Sequence, residues 1–354
     1  MHILITGHTG FKGAWLTLML DQLGHEVSGI ALDPESASLF NQARVHDLLA
    51  SDMRVDVRDA SALTRAFHQA QPDVVVHLAA QPLVRESYLR PRETFETNVI
   101  GTLNVMEASS SLSNLQALLV ITTDKVYRNA GRVAGYAEDE PLGGDDPYSA
   151  SKAMADILTY SWATSFPGVP TAIARAGNVI GGGDYSRDRL VPDVIAAFQD
   201  HRPVRLRYPQ AVRPWQHVLD CLSGYLTIIN HLFAVKDATV DPQAWNIGPG
   251  PDNFKTVADL TALMSDLWQG TPSWQVDDGH HLHEAQLLAL DASRARNELG
   301  WKNHLDFESS VKWTVDWFSK TQQGDDPRVV TEEQIDAFLA TADTPGWHAA
   351  QSES

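Results

Sequence analysis

Cysteine is almost absent from this chain: Cys221 is the one cysteine in 354 residues. An internal disulfide is excluded, and a reducing compartment, the cytoplasm, is expected. Basic charge is short as well. Lys and Arg number 27 against 45 Asp and Glu, a net charge of −18. The chain therefore lacks the basic face that nucleic-acid binding demands. An anionic small ligand is not barred, because backbone amides and a few arginines hold one inside an acidic protein. No apolar run approaches the roughly 18 residues of a membrane span. The chain enters Ile3-Leu4-Ile5 with no basic flank or cleavage pattern, so neither secretion nor a membrane partner is expected. Internal repeats and low-complexity tracts are lacking too.

What remains is an ordinary globular composition, 43% hydrophobic and 20% charged, long enough for two domains. Short apolar runs predict strands at His2-Thr6, Glu26-Ala31, Arg54-Val57, Asp73-Leu78, Ala117-Thr122 and Thr171-Arg175. Helical patterns lie between them near 12–23, 60–70, 93–109 and 149–166. Apolar runs without alternation, separated by helices, predict a parallel sheet covered on both faces. The expected fold is α/β, a doubly wound Rossmann-type sheet with a smaller mixed C-terminal substrate lobe. Residues 1–176 form the first unit, and 177–330 the lobe. A segment near 212–248 returns to the sheet through a strand at Ala244-Trp245-Asn246-Ile247. Gly181-Gly182-Gly183-Asp184 reads as a flexible joint. In the tail, 331–354, Thr331-Glu332-Glu333-Gln334 reads as a capping box before one short helix, with Gln351–Ser354 disordered.

The first strand runs into Gly7-His8-Thr9-Gly10-Phe11-Lys12-Gly13 and then a helix. That setting gives a glycine triplet its meaning. Gly7 permits the tight turn, Gly10 lets backbone approach a pyrophosphate, and Gly13 lets helix pack on sheet. The anion then rests on the helix N-terminus. The G-x-x-G-x-x-G spacing resembles the extended short-chain dehydrogenase/reductase superfamily. After the second strand, Asp33 stands where a carboxylate can accept the adenosine ribose hydroxyls. It disfavours a 2′-phosphate, and no arginine follows until Arg44, so NAD is the expected cofactor. The resemblance sets Asp56 and Val57 against the adenine and Ala79, Ala80 and Gln81 beside the cofactor. It adds Thr9, Phe11, Lys12, Asn98 and Thr122 to the cofactor's surroundings.

Tyr148 and Lys152, four residues apart at a helix start, share one face. A free tyrosine has a pKa near 10. A nearby ammonium and a positive cofactor lower it, so that it can act as a base on a sugar hydroxyl. Thr123 completes the set by bonding the same hydroxyl. The fifth strand ends in Ile121-Thr122-Thr123-Asp124-Lys125-Val126-Tyr127. Taken alone, that acid–base pair reads more readily as a solvated strand end than as proton-handling groups.

These residues, with the glycine loop, Ala80-Gln81-Pro82-Leu83-Val84-Arg85, the stretch Arg175–Asp184, Arg213-Pro214-Trp215-Gln216-His217-Val218 and Leu290-Asp291-Ala292-Ser293, resemble the CDP-glucose 4,6-dehydratase family along nearly the whole chain. The resemblance implies NAD-dependent conversion of CDP-D-glucose to CDP-4-dehydro-6-deoxy-D-glucose and water. Tyr148 would take the C4 hydroxyl proton, Asp124 would protonate the C6 hydroxyl, and Lys125 would work on the C5 proton or stay charged and stabilise an enolate. Asn178, Arg187, Arg189, Leu190, Arg213 and His217 are candidates for the nucleotide sugar, and the family carries His283 and Glu284 there too. His280–Glu284 lacks zinc spacing, so no metal is expected. The family pairs helices like 93–109 and 149–166 into a four-helix bundle, which implies a homodimer. A sugar-nucleotide 4-epimerase, a dehydratase for another nucleotide sugar, and a cofactor-binding regulatory protein remain as alternatives.

Overall fold

The computed structural model describes residues 1–131, 134–235, 242–268, 274–277, 279 and 288–341. Seven parallel strands form the central sheet: β1 (His2–Thr6), β2 (Glu26–Ala31), β3 (Leu49–Arg54), β4 (Val74–His77), β5 (Ala117–Ile121), β6 (Thr171–Ala176) and β7 (Gln243–Ile247). Their order is β7-β6-β5-β4-β1-β2-β3. The order reverses beside β1 and β4, which opens a crevice at the carboxyl ends of the strands. β4 and β5 are buried at every position, as helices on both faces require.

The two faces can be followed along β1, where Ile3 and Ile5 join one core and Leu4 the other. The first core takes α1 (Phe11–Gln22), α5 (Val218–Val235), α6 (Phe307–Gln322) and α7 (Pro327–Thr341), through Trp15, Leu222, Trp317 and Phe338 among others. The second takes α2 (Ala60–Ala70) and α3 (Gly101–Ser110) through Leu63, Phe67, Val105 and Met106. Helix α4 (Pro147–Ser165) follows the loop after β5. Short strand pairs build the lobe: Val179–Ile180 with Gln216–His217, Val212–Pro214 with Phe254–Thr256, and Val204–Leu206 with Trp274–Val276.

Several expectations are corrected. The third strand lies earlier, at Leu49–Arg54 instead of 54–57. It is the sheet edge and alternates half-buried with exposed positions, so Ser51 and Asp52 break the apolar run. The helix expected over 93–109 is present, and runs from Pro91 to Ser110 with one irregularity. Pro91–Phe95 leads into a widened π turn, Glu96–Ile100, before α3. The three-glycine stretch is a packed knuckle, not a flexible joint. The Gly182 carbonyl accepts the Trp15 indole N–H at 2.9 Å, and a side chain at Gly182 would collide with Trp317. Thr331 does not cap a helix; it lies inside α7, donating to the Pro327 carbonyl at 2.6 Å and accepting from the Trp317 indole at 2.9 Å. Helix α5 is long and apolar enough to cross a membrane, contrary to expectation. Of its length 67% is buried inside the protein, and it packs against β5 and β6, which a core helix explains. Gln351–Ser354 lies outside the described residues.

Candidate active site

The glycine loop is built for close backbone approach. Gly7 has φ +80°, and a side chain there would sit 2.7 Å from the Ala79 nitrogen. A side chain at Gly13 would strike the Gly7 carbonyl, whereas Gly10 meets nothing closer than 3.4 Å. Gly10 stands at the N-cap of helix α1, which has no side-chain cap and no acidic residue in its first turn. Its first N–H groups therefore remain available to an anion. The loop fits a pyrophosphate, and with Asp33 and Asp56 at the ends of neighbouring strands it fits a dinucleotide such as NAD. Thr9 donates to the Leu32 carbonyl at 3.2 Å, which ties the loop to the end of β2. Asp33 is largely exposed and pairs with Arg54 Nε at 3.3 Å, an arginine that sequence spacing had not brought near it; Arg44 turns away to Asp326. Asp56 is held below its usual range by Arg58, and Val57 packs beneath Gly101.

Asn98 is buried and spent on structure. Its side chain accepts from the Gln81 backbone N–H at 2.8 Å and donates to the Gln81 carbonyl and the Ser151 hydroxyl at 3.1 and 2.9 Å. It thereby fixes the Ala79-Ala80-Gln81 turn after β4.

A cavity of about 480 Å³ opens at the crevice. Phe11, Lys12, Ala80, Thr122, Thr123, Asp124, Lys125, Tyr148 and Lys152 all line it. Local sequence explains the meeting. β5 runs out at Ile121, and Thr123 caps a single 3₁₀ turn, Asp124–Val126. Opposite, Asp146 caps α4 by accepting the Ser149 N–H at 2.9 Å, with Pro147 in the first turn. Tyr148 and Lys152 then face the same cavity one helical turn apart. Lys152 Nζ donates to the Ile121 carbonyl at 2.7 Å, which joins the tyrosine helix to the strand that delivers the acid.

Asp124 is fully buried. One oxygen accepts from the Thr123 hydroxyl at 2.9 Å and from Lys125 Nζ at 3.1 Å. The other is buried with no hydrogen-bond partner among the described residues. A side chain at Gly177 would lie 3.1 Å from that oxygen, so glycine makes room for it. Burial pushes the Tyr148 phenol up, against the pull of Lys125 and Thr123. The expected lowering is therefore absent from the protein's own groups, because desolvation of a phenolate outweighs them. Burial, with Lys12 nearby, brings Lys152 down to about 7. Lys12 is itself lowered by burial and donates to the Tyr225 hydroxyl at 2.9 Å.

On the lobe side, Asn178, Arg189, Leu190 and Arg213 line the cavity, and Arg187 does not. The Asn178 side-chain nitrogen is buried, with no hydrogen-bond partner among the described residues. Arg189 pairs with buried Asp184 at 3.2 Å. His217 is corrected. It lies in the core, edge-on to Trp15 and Trp313, outside the cavity lining, with burial lowering it to about 3. His283 and Glu284 lie outside the described residues. Sequence reasoning missed Arg85, Arg205, Arg207 and Tyr208 in the lining. Arg85 spans the cavity to Asp188 at 2.9 Å; its presence in the Ala80–Arg85 stretch was the available signal.

The model of the NAD dependent epimerase/dehydratase family matches residues 3–248. The CDP-glucose 4,6-dehydratase of Salmonella typhimurium is 40% identical over 347 residues, 96% of each chain. The dTDP-glucose 4,6-dehydratase of Streptomyces venezuelae, solved with NAD bound, superposes with a TM-score of 0.78 at 25% identity, over 93% of this chain and 100% of its own. A UDP-glucose 4-epimerase from Thermotoga maritima shares the fold, with a TM-score of 0.77 at 24% identity over 91% of this chain and 100% of its own.

Proposed function

Because the chain belongs to the NAD dependent epimerase/dehydratase family, we propose that it is a hydro-lyase that converts CDP-D-glucose to CDP-4-dehydro-6-deoxy-D-glucose and water. The observation that carries this reading is the convergence of Asp124 and Lys125 with Tyr148 and Lys152 on one cavity. A redox couple alone would serve an epimerase; an acid–base pair beside it equips the site for elimination.

Bound NAD would supply the hydride acceptor for C4 and the hydride donor for C6. Gly7, Gly10 and Gly13 would hold its pyrophosphate, with Asp33 and Asp56 along the adenosine. Tyr148 takes the C4 hydroxyl proton, and Lys152 stabilises the phenolate that does so. Oxidation at C4 makes the C5 proton acidic. Lys125 removes it while Asp124 gives a proton to the C6 hydroxyl; the C6–O bond breaks, water leaves, and a C5–C6 double bond forms. Lys125 would then return its proton to C5 as C6 is reduced, and the proton that Tyr148 took from the C4 hydroxyl would restore Asp124. Asp124 faces both Lys125 and an unpartnered side, a geometry suited to passing a proton between base and leaving group. Asn178, Arg189 and Arg213 supply donors for the substrate's pyrophosphate.

The finer reading includes a homodimer in the cytoplasm. Leu89, Ile100, Met154, Ile157 and Tyr160 are exposed, by 47 to 77%, on helices 84–89 and 147–165 and the π turn. They present an apolar face suited to a second copy.

Purified protein incubated separately with CDP-, dTDP-, GDP- and UDP-glucose tests the reading. A 4-keto sugar, detected by its absorbance in alkali, is expected from the CDP sugar. Formation of the C4 epimer without keto product would favour a 4-epimerase instead.

A further inference from the structure

We propose that the buried Asp156–Arg175 pair is a positioning device that sets the Asp124-Lys125 turn against Tyr148 and Lys152, with Tyr127 and Asn246 as its outer anchors; this rests on the dehydratase reading above. Asp156 lies four residues beyond Lys152 and eight beyond Tyr148, on the same face of α4. Its carboxylate accepts the Thr122 hydroxyl at 3.0 Å. It also accepts from Nε and Nη2 of Arg175, at 2.9 and 2.7 Å. Arg175 reaches in from β6. Its remaining nitrogen donates to the Tyr127 hydroxyl at 2.8 Å and to the Glu138 carbonyl at 2.9 Å. Tyr127 donates in turn to the Asn246 side-chain oxygen on β7 at 2.7 Å.

Thr122 and Tyr127 are the two ends of the turn that carries the acid and the base. Both ends are tied to one ion pair, and that pair is rooted in the helix that carries the tyrosine and lysine. Between them, the side chains of Thr123, Asp124 and Lys125 bond to one another. The distance between the oxidation pair and the elimination pair is thus set by this network.

Stability alone does not account for it. Asp156, Arg175, Tyr127 and Asn246 are all at most 4% exposed, and a buried ion pair can be replaced by well-packed apolar groups at little cost. An apolar replacement would fill the space but would leave both ends of the turn without fixed partners. Asp156, Arg175 and Asn246 lie outside the cavity lining, so they act through the groups they hold; Tyr127 lines the cavity, which makes Asn246→Ala the variant that leaves the lining intact.

The test separates the two halves of the reaction in Tyr127→Phe, with Asn246→Ala as a second variant that removes the same anchor from the other side. C4 oxidation is followed by reduced-nicotinamide absorbance after rapid mixing with CDP-glucose. Elimination is followed by C5 deuterium exchange and keto-sugar formation. Thermal midpoints confirm that each variant is folded. The inference expects C5 exchange to fall about tenfold or more while C4 oxidation holds within about twofold, so that reduced cofactor accumulates. If both half-reactions fall by the same factor in the folded variants, the network is structural only and the inference is overturned. A parent protein that forms no keto sugar from CDP-glucose removes instead the reading on which the inference rests.

Discussion

Asp124 shows how a residue's neighbours divide its work. One oxygen is committed to Thr123 and Lys125 and the other is buried with no hydrogen-bond partner among the described residues, so the carboxyl can hold the base in place and keep one oxygen uncommitted. Asp124→Asn keeps the shape and removes the transferable proton. It should slow keto-sugar formation by about 10²- to 10⁴-fold while reduced nicotinamide still forms on mixing; equal loss of both would place the acid elsewhere. Lys125→Ala should lower C5 deuterium exchange, and exchange at the parent rate would assign the base to another group. Gly182 is a different case, since its value lies in absent atoms. Gly182→Ala forces a methyl into Trp317 and should cost about 1–3 kcal/mol, read as a lower thermal midpoint. The Tyr148–Lys152 spacing was legible because four residues mean one helical face whatever surrounds them. His217 was misjudged because a histidine beside Arg213 and Trp215 looks like a ligand in sequence, and only packing shows Trp15 and Trp313 closing on it.

Among elements, the buried strands and the glycine-loop helix were plain in the sequence, since burial on both faces demands unbroken apolar runs. The edge strand β3 was misplaced because one side of it meets water and tolerates Ser51 and Asp52. The capping pattern at Thr331 misled for a related reason: a threonine hydroxyl bonds a carbonyl four residues back as readily as it caps. The start of α5 carries a pH signature. Burial raises Asp220 to about 7, against the pull of the His304 and Leu305 N–H groups. The folded chain therefore holds a proton there that the unfolded chain releases near 3.8. The stability this contributes is present at low pH and lost as pH rises through about 7. His217 and His77, both lowered to about 3 by burial, act oppositely. Their contribution is present above about 6.5 and lost as pH falls toward 3. Asp220→Asn should thus gain thermal midpoint relative to the parent between about pH 5 and pH 8; a difference that does not change with pH would mean Asp220 does not titrate in that window.

For the whole molecule, the sheet gives a rigid floor and the lobe a second wall, with Arg85 and Asp188 meeting across the gap. The lobe's contribution was the least legible part of the site. Arg205, Arg207 and Tyr208 come from short strands and turns whose placement follows from long-range packing, not from local pattern. The exposed apolar face on α4 predicts self-association. Ile157→Glu, on the face away from Tyr148 and Lys152, should shift the protein from dimer to monomer in sedimentation velocity; a parent that already sediments as a monomer would refute the dimer. Above all, the account claims that oxidation and water loss occur on one hexose in one cavity. CDP-glucose carrying deuterium at C4, turned over in ordinary water and examined by NMR, tests that claim most directly. The predicted product is a 4-keto-6-deoxy sugar with the deuterium at C6. Deuterium retained at C4 of an epimerised hexose, or lost to solvent, would contradict it.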